Sequence, residues 1–531
     1  MLPFAPFGLF PLSQPITYAQ TLSALEEAPK ATLTFYRGIE KEGLRVNGDT
    51  RISQVPHQTP LGSALTHPYI TTDYSESLLE FITPVKDNAK DVLAFLQTAH
   101  SYTYQYLADE LIWPASMPGK IEDELEVPIA HYGNSNVGTL KHVYRHGLWH
   151  RYGRKMQCIA GLHYNFSVSE ELWQQLADLQ GKEVSKDFMS EGYFGLIRNF
   201  RRHSWLLLYL FGASPVLDKS FIKGEEHPLQ ELDDDSLYLP YATSLRMSGL
   251  GYQNNAQDGL FVCFNGLSTY TSTLHQAMQE SVAGYEEMGV RKDGQYQQLN
   301  TNLLQIENEY YSDIRPKRNP KGGEKPLTSL NEYGVEYIEV RCLDLNPFAP
   351  LGIDEEQIHF MDLFLSYCLL NPSPMLRDAE CREVARNQHN VVLDGRNPRF
   401  TLQRLGETVA LKDWAQQLIT QMQPLAQLLD DTHNVNHYGA ALAAMGARVE
   451  DATLTPSAQV LATMKQKNQS FCDFSMEQAQ TIAKTHTATL DAETQQHWQK
   501  LAQKSLQKQQ DIESSDDVNF DQYLIEYSQK M

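Results

Sequence analysis

Four short segments rich in aromatic and aliphatic residues, 33–46, 69–84, 158–168 and 334–345, read as strands bounded by turn residues, and they are scattered unevenly along the chain. Helical periodicity fills the intervals, most clearly over 88–112, 170–180, 191–211, 273–288, 354–370 and 403–430. A doubly wound parallel sheet requires a steady strand–helix–strand rhythm, which is missing here. The pattern therefore predicts an α+β fold with a largely antiparallel or mixed sheet.

The chain of 531 residues is long enough for a large core with insertions or for two to three domains. With 41% hydrophobic and 21% charged residues it is globular and not disordered. Its net charge of -22, from 66 acidic against 44 basic residues with no Lys/Arg stripe, argues against nucleic acid as a partner. An anionic ligand would have to be met by a few concentrated Arg or Lys side chains or by bound cations. The six scattered cysteines form no C-x-x-C pair, which suggests reduced thiols and a cytoplasmic protein. No apolar run reaches the roughly 18 to 20 residues that span a bilayer. Residues 1–16 carry four prolines and precede the first basic residue, Lys30, so they read as an extension and not as a signal peptide.

The organisation suggested is an extension and first helix over 1–29, a core over 30–445, and a Gln-, Lys- and Ala-rich helical segment over 446–531 with no chemistry of its own. The basic connector 315–327 (RPKRNPKGGEKPL) is a candidate phosphate-contacting lid. A Walker A loop is absent, and Gly249 and Gly251 lack the third glycine of a dinucleotide fingerprint.

The strand-like segments carry carboxylates that need a reason to be there. Residues two apart in a strand point the same way, so Glu40 and Glu42 share one face; the alternative is a solvated face backed by Lys41 and Arg45. Asp73 closes one apolar stretch of 69–85, and Glu80 lies inside another, where it is paired, solvent-facing or metal-bound. In 160–168 alternation separates Leu162, Tyr164, Phe166 and Val168 from His163, Asn165 and Ser167. In 334–345 it groups Glu339 with Arg341, either as an intrastrand ion pair or as a metal ligand beside a phosphoryl clamp, and sets Glu336 and Asp344 behind them. Gathered together, these carboxylates would repel one another unless cations were bound. Oxygen ligands with one imidazole and no thiolate favour Mg²⁺, with Mn²⁺ tolerated, and Mg²⁺ suggests phosphates.

Several stretches resemble the bacterial glutamate–cysteine ligases: RGIEKEGLRV (37–46), LGSALTHPYITTDYSESLLEFITPV (61–85), YGNSNVG (132–138), GLHYNFS (161–167), YLFGASP (209–215), YLPYATSLRMSGLGY (238–252), LQIENEYYSDIRPKR (304–318) and GVEYIEVRCLDLNPF (334–348). The resemblance covers roughly residues 30 to 400. It implies a glutamine-synthetase-like core, in which a curved, mainly antiparallel sheet forms a funnel-shaped active site surrounded by helices. It further implies ATP-dependent joining of glutamate to cysteine through γ-glutamyl phosphate, with Glu40, Asp73, Glu80, His163 and Glu339 as Mg²⁺ ligands and Glu42 beside them. Arg341 corresponds to the arginine that steadies the transferred phosphoryl group, and Arg246 to one that meets the glutamate carboxylate. Tyr74, Tyr144, Leu148, Tyr252 and Tyr311 match a cysteine pocket, while Arg315, Lys317 and Arg318 match contacts to nucleotide phosphates. A monomer acting on small molecules is expected. A ligase for another amine and a catalytically silent nucleotide or glutamate sensor are the rival readings.

Overall fold

The computed structural model describes residues 16–250, 256–320 and 324–529. Its centre is a seven-stranded antiparallel sheet built from β1 (Phe35–Val46), β2 (Ile70–Thr72), β3 (Leu78–Ile82), β4 (Leu111–Ile112), β5 (Leu162–Val168), β6 (Ile314–Lys317) and β7 (Tyr337–Leu343). The spatial order is β6-β7-β5-β1-β3-β2, with β4 paired to the end of β1. The α+β reading therefore holds, and so does the antiparallel sheet.

Pairing register decides what the sheet presents. Glu40 stands opposite His163, Glu42 opposite Glu80, and Glu339 opposite both Asn165 and Arg315. Strand alternation then puts all of these on one face. The reverse face carries Ile39, Phe81, Tyr164, Phe166, Ile338 and Val340, all fully buried. Against it pack α1 (Ala89–Tyr104), the 26-residue α3 (Lys186–Phe211) and α4 (Glu355–Leu370), with α4 in contact with the other two helices, α1 with β1 and β3, and α3 with β6 and β7. Between α1 and α3 lies α2 (Asn136–Tyr152), which flanks the polar face.

Three polar devices lock this back layer. Asp362 of α4 accepts from Arg37 Nε at 3.1 Å and pairs with Arg37 Nη2 at 2.8 Å, and it accepts the Tyr164 hydroxyl at 2.7 Å. Arg45 donates twice to Glu110, at 3.1 and 3.0 Å. Lys41 lies 2.7 Å from His100 Nε2, and because His100 Nδ1 reaches the Leu96 carbonyl at 2.8 Å, Nε2 is left to accept from the amine. Arg45 and Lys41 do lie opposite the carboxylates, but in the core and not in solvent.

Burial pulls Lys41 down to about 7, so the neutral amine is the form the fold prefers. Between that value and the ordinary lysine range the unfolded chain holds the extra proton, so stability rises with pH across the interval. Lys41→Met should flatten this rise and raise stability at neutral pH by roughly 2 kcal/mol, after allowing for the hydrogen bond that His100 loses. Denaturant unfolding at several pH values measures both effects.

The structure corrects several boundaries. Segment 69–84 is two strands joined by a turn, so Asp73 lies in the turn. The helix assigned to 273–288 is two, Leu267–Ala277 and Ala283–Met288. Residues 403–410 belong to a hairpin, Thr401–Arg404 with Glu407–Ala410, turned by Leu405 and Gly406 at φ of 52° and 86°; helix α5 (Leu411–His433) begins after it. Residues 315–317 are an edge strand and not a lid.

The boundary at 445 falls inside α6 (His437–Glu450), and one hydrophobic cluster runs from Leu22 to Trp498. Beyond it, Trp498 of α7 (Ala492–Ser515) stacks on Tyr102 at 5.5 Å and on His67 at 6.2 Å. Helix α8 (Phe520–Gln529) closes a smaller cluster in which Phe520, Tyr523, Leu524 and Tyr527 meet Leu140, Val143 and Tyr144 of α2. The C-terminal segment thus returns to the helix that flanks the polar face. No helix among the described residues is long and apolar enough to cross a membrane.

Candidate active site

Glu40, Glu80 and His163 come from three adjacent strands, and each offers a ligand atom within 4.8 Å of the others. His163 Nδ1 is 3.2 Å from Glu40, whose other oxygen accepts from Asn165 Nδ2 at 2.9 Å. On one side Glu42 accepts the Gly161 backbone N–H at 2.5 Å and stands 3.7 Å from His163 Nε2. On the other, Glu339 is contacted by Lys317 at 3.3 Å and Arg341 at 3.1 Å. The ion pair and the shared face foreseen for Glu339 and Arg341 are therefore both present.

The titration pattern follows from the crowding. Burial first, then the charges of Glu40, Asp73 and Glu42, push Glu80 well above the usual carboxylate range. Burial also raises Glu42. Burial would raise Glu339 too, but Lys317 and Arg341 outweigh it and hold the carboxyl well below that range. An ionised Glu80 thus lacks a cation, whereas Glu339 already has two. The buried Asn165 Oδ1 has no partner, and neither does Arg341 Nε. A carboxylate–imidazole cluster short of positive charge fits a hard divalent cation, and a buried guanidinium N–H without a partner fits an anion.

The neighbouring side chains divide into free and committed groups. Arg246 is buried, donates to the Arg341 carbonyl at 3.0 Å and lies 3.9 Å from Asp344. Asp344 is itself spent on Ala213 N and on the Ser214 and Ser244 hydroxyls. A β-carbon at Gly161 would collide with the Arg246 guanidinium. We expect Gly161→Ala to leave the fold intact, because the far end of a flexible side chain can shift, and to raise roughly tenfold the KM of any anionic substrate that the Arg246 guanidinium meets, through a weakened charge-assisted hydrogen bond. Steady-state kinetics with that substrate varied checks it.

Tyr74 is buried with an unpartnered hydroxyl. Tyr144 and Leu148 are half-buried on α2, and Tyr311 is exposed, with its hydroxyl 3.3 Å from Met247 Sδ. Tyr252 lies outside the described residues. Arg315 is buried, its Nη2 held by the Asn308 and Tyr310 carbonyls, while Arg318 is tied to the Gly334 carbonyl and lies 3.9 Å from Glu336 on the reverse side. Of Arg315, Lys317 and Arg318, Lys317 alone forms an ion pair with a site carboxylate among the described residues.

Two basic residues of α2 escaped the sequence reading. Arg145 donates to the Asp73 carbonyl at 2.6 Å, which also receives the Tyr132 hydroxyl at 2.8 Å, so the turn that carries Asp73 is fastened to the helix. Lys141, one turn earlier, is brought down to about 8 by burial and Arg145, against the opposing pull of Glu80 and Asp73. The i, i+4 spacing of Lys141 and Arg145 beside Tyr144 was the available signal.

The model of the glutamate–cysteine ligases matches residues 22–391. The chain belongs to that family. Relatives named glutamate–cysteine ligase include one from Pseudomonas fluorescens Pf-5, 52% identical with 92% of each chain covered, and one from Azotobacter vinelandii, 49% identical over 96% of this chain and 98% of its own. The crystal structure of glutamate–cysteine ligase from Francisella tularensis in complex with AMP aligns with a TM-score of 0.88 at 34% identity, covering 93% of this chain and 97% of that one. A bifunctional glutathione synthetase from Pasteurella multocida shares the fold, with a TM-score of 0.69 at 24% identity over 54% of its length. As a member of the family the protein is a carbon–nitrogen ligase that joins glutamate to cysteine, the first step of glutathione synthesis.

Proposed function

We propose that this ligase activates the γ-carboxylate of glutamate with ATP, that Mg²⁺ bound by Glu40, Glu80 and His163 serves the reaction, and that Asp73, Glu42 and Glu339 complete the acidic surround. The observation that carries this reading is the shared face: three ligand atoms within 4.8 Å of one another, beside an arginine whose buried Nε is unpartnered. The AMP held by the Francisella relative supports a nucleotide here. Mg²⁺ when bound supplies positive charge to the phosphoryl oxygens.

The oxygen of the glutamate γ-carboxylate attacks the γ-phosphorus of ATP, and ADP leaves. The cysteine amine then attacks the acyl carbon of γ-glutamyl phosphate, the C–O bond breaks as phosphate leaves with its electron pair, and the nitrogen gives up one proton to water. Arg341 donates to the equatorial phosphoryl oxygens from a position already fixed by Glu339, so little reorganisation accompanies charge development. Lys317 adds a second cation on the same side. Arg246 takes the carboxylate end of glutamate, its guanidinium braced on the Arg341 carbonyl. Tyr74, Tyr144 and Leu148, with Tyr252 and Tyr311, wall the cysteine site. Arg315 acts on the phosphates indirectly, by shaping the edge strand. No protein nucleophile takes part: burial pushes the Cys158 and Cys342 thiols up and keeps them protonated. The reading extends to a monomer acting in the cytoplasm, where its six free thiols stay reduced.

ADP release in the presence of glutamate and Mg²⁺, compared across amines, tests this. Stimulation is expected with cysteine above alanine or glycine. Equal stimulation by all of them would identify a ligase for another amine, and no ADP release at all would remove the enzymatic reading.

A further inference from the structure

On the far side of the sheet from the carboxylate cluster, Glu355, His359 and His437 each place one ligand atom within 4.8 Å of the other two. Glu355 and His359 are one helical turn apart on α4, and His437 opens α6. We propose that these three residues form a second metal site, for a divalent cation of the zinc class, that pins α6 and the C-terminal helices to the helix gripping the back of the sheet.

The backbone under each ligand is fixed. Asp354 caps α4 by accepting from Gln357 N at 2.8 Å, which holds Glu355 and the turn leading to His359. Asp430 accepts from Tyr438 N at 3.0 Å and Gly439 N at 2.8 Å, which sets the first turn of α6 directly after His437. The two imidazoles lie parallel, 4.8 Å apart at 2° between planes, with the Tyr438 ring against His359 at 5.5 Å. Nearby, Glu356 and Arg448 already join the two helices at 3.4 Å. Lys90 comes no nearer to Glu355 than 3.9 Å, so the carboxylate has no short ion pair to give up.

Donor chemistry separates this site from the catalytic one. Two imidazoles and one carboxylate, all half-buried, leave a fourth position for water in a tetrahedron, which suits Zn²⁺ or Co²⁺. The carboxylate cluster, with one imidazole, suits Mg²⁺. His359 is also one turn from Asp362, whose carboxylate holds Arg37 of β1 and Tyr164 of β5, so a metal here would extend a buried polar network from the sheet to the outer helices.

Co²⁺ alone, titrated into the full chain with Mg²⁺ saturating, provides the test through its visible ligand-field absorption. One equivalent is expected, displaced by Zn²⁺. His437→Ala should weaken it at least about tenfold with ligase turnover unchanged, and Glu80→Gln should leave it intact. His359→Gln should weaken it likewise, and His437→Ala decides alone if that variant does not fold. No Co²⁺ band in the parent, or a band that survives both histidine substitutions or vanishes with Glu80→Gln, overturns the proposal.

Discussion

Arg341→Ala is expected to lower turnover by about a thousandfold, the range seen when one preorganised donor to a transferring phosphoryl group is removed. Two features make the effect large. The side chain is already held by Glu339 at 3.1 Å, so its geometry is set before substrate arrives, and its buried Nε has no protein partner. Removing it also strips Glu339 of one of two cations, leaving Lys317 at 3.3 Å. Turnover should fall far more than nucleotide affinity, because the interaction strengthens as charge develops on the phosphoryl oxygens. Pre-steady-state ADP formation beside equilibrium nucleotide binding separates the two effects; equal losses in both would assign Arg341 to binding alone.

Glu80→Gln should move activity and stability in opposite directions. Turnover should drop about a hundredfold or more, since a neutral amide replaces a charged ligand of the three-residue cluster. In the metal-free protein the same change should stabilise the fold at neutral and alkaline pH. Burial and the charges of Glu40, Asp73 and Glu42 raise Glu80, so the folded state prefers its protonated form. A carboxylate raised in this way contributes stability that is full below its unfolded value and is lost as pH rises through the folded one. Glutamine mimics the protonated form at every pH, so the variant's advantage should vanish on acidification toward the ordinary carboxylate range. Added Mg²⁺ should reverse the order by stabilising the parent. Thermal melts with and without Mg²⁺, at about pH 5 and about pH 8, read out all three expectations.

Strand parity made the polar face legible in the sequence. Glu40 with Glu42, His163 with Asn165, and Glu339 with Arg341 each follow from the two-residue period. Which strands lie side by side is a long-range matter, and the meeting of Glu42 with Glu80 across β1 and β3 had to come from the structure or from resemblance. Local detail was lost where the backbone leaves ideal geometry. The turn at Asp73 divides the segment 69–84 into two strands, and the register shift between Val340 and Leu343 sits just where Arg341 projects. Helix α2 is missing from the sequence reading, and the part its polar flank plays emerges only once Asp73 and Tyr132 are placed beside Arg145. Likewise Glu355 and His359 show a ligand spacing, but His437, 78 positions after His359, joins them only through packing of α6 on α4. The C-terminal helix α8 carries no chemical motif, yet it covers the helix that bears Tyr144.

The central claim is that the carboxylate–imidazole cluster on the sheet's polar face holds the catalytic cation. Mn²⁺ substituted for Mg²⁺ at one equivalent, with nucleotide bound, tests it by pulsed electron paramagnetic resonance. A ¹⁴N modulation from one coordinated imidazole is expected in the parent and should disappear in His163→Ala. No nitrogen coupling in the parent, or the same coupling in His163→Ala, would contradict the account.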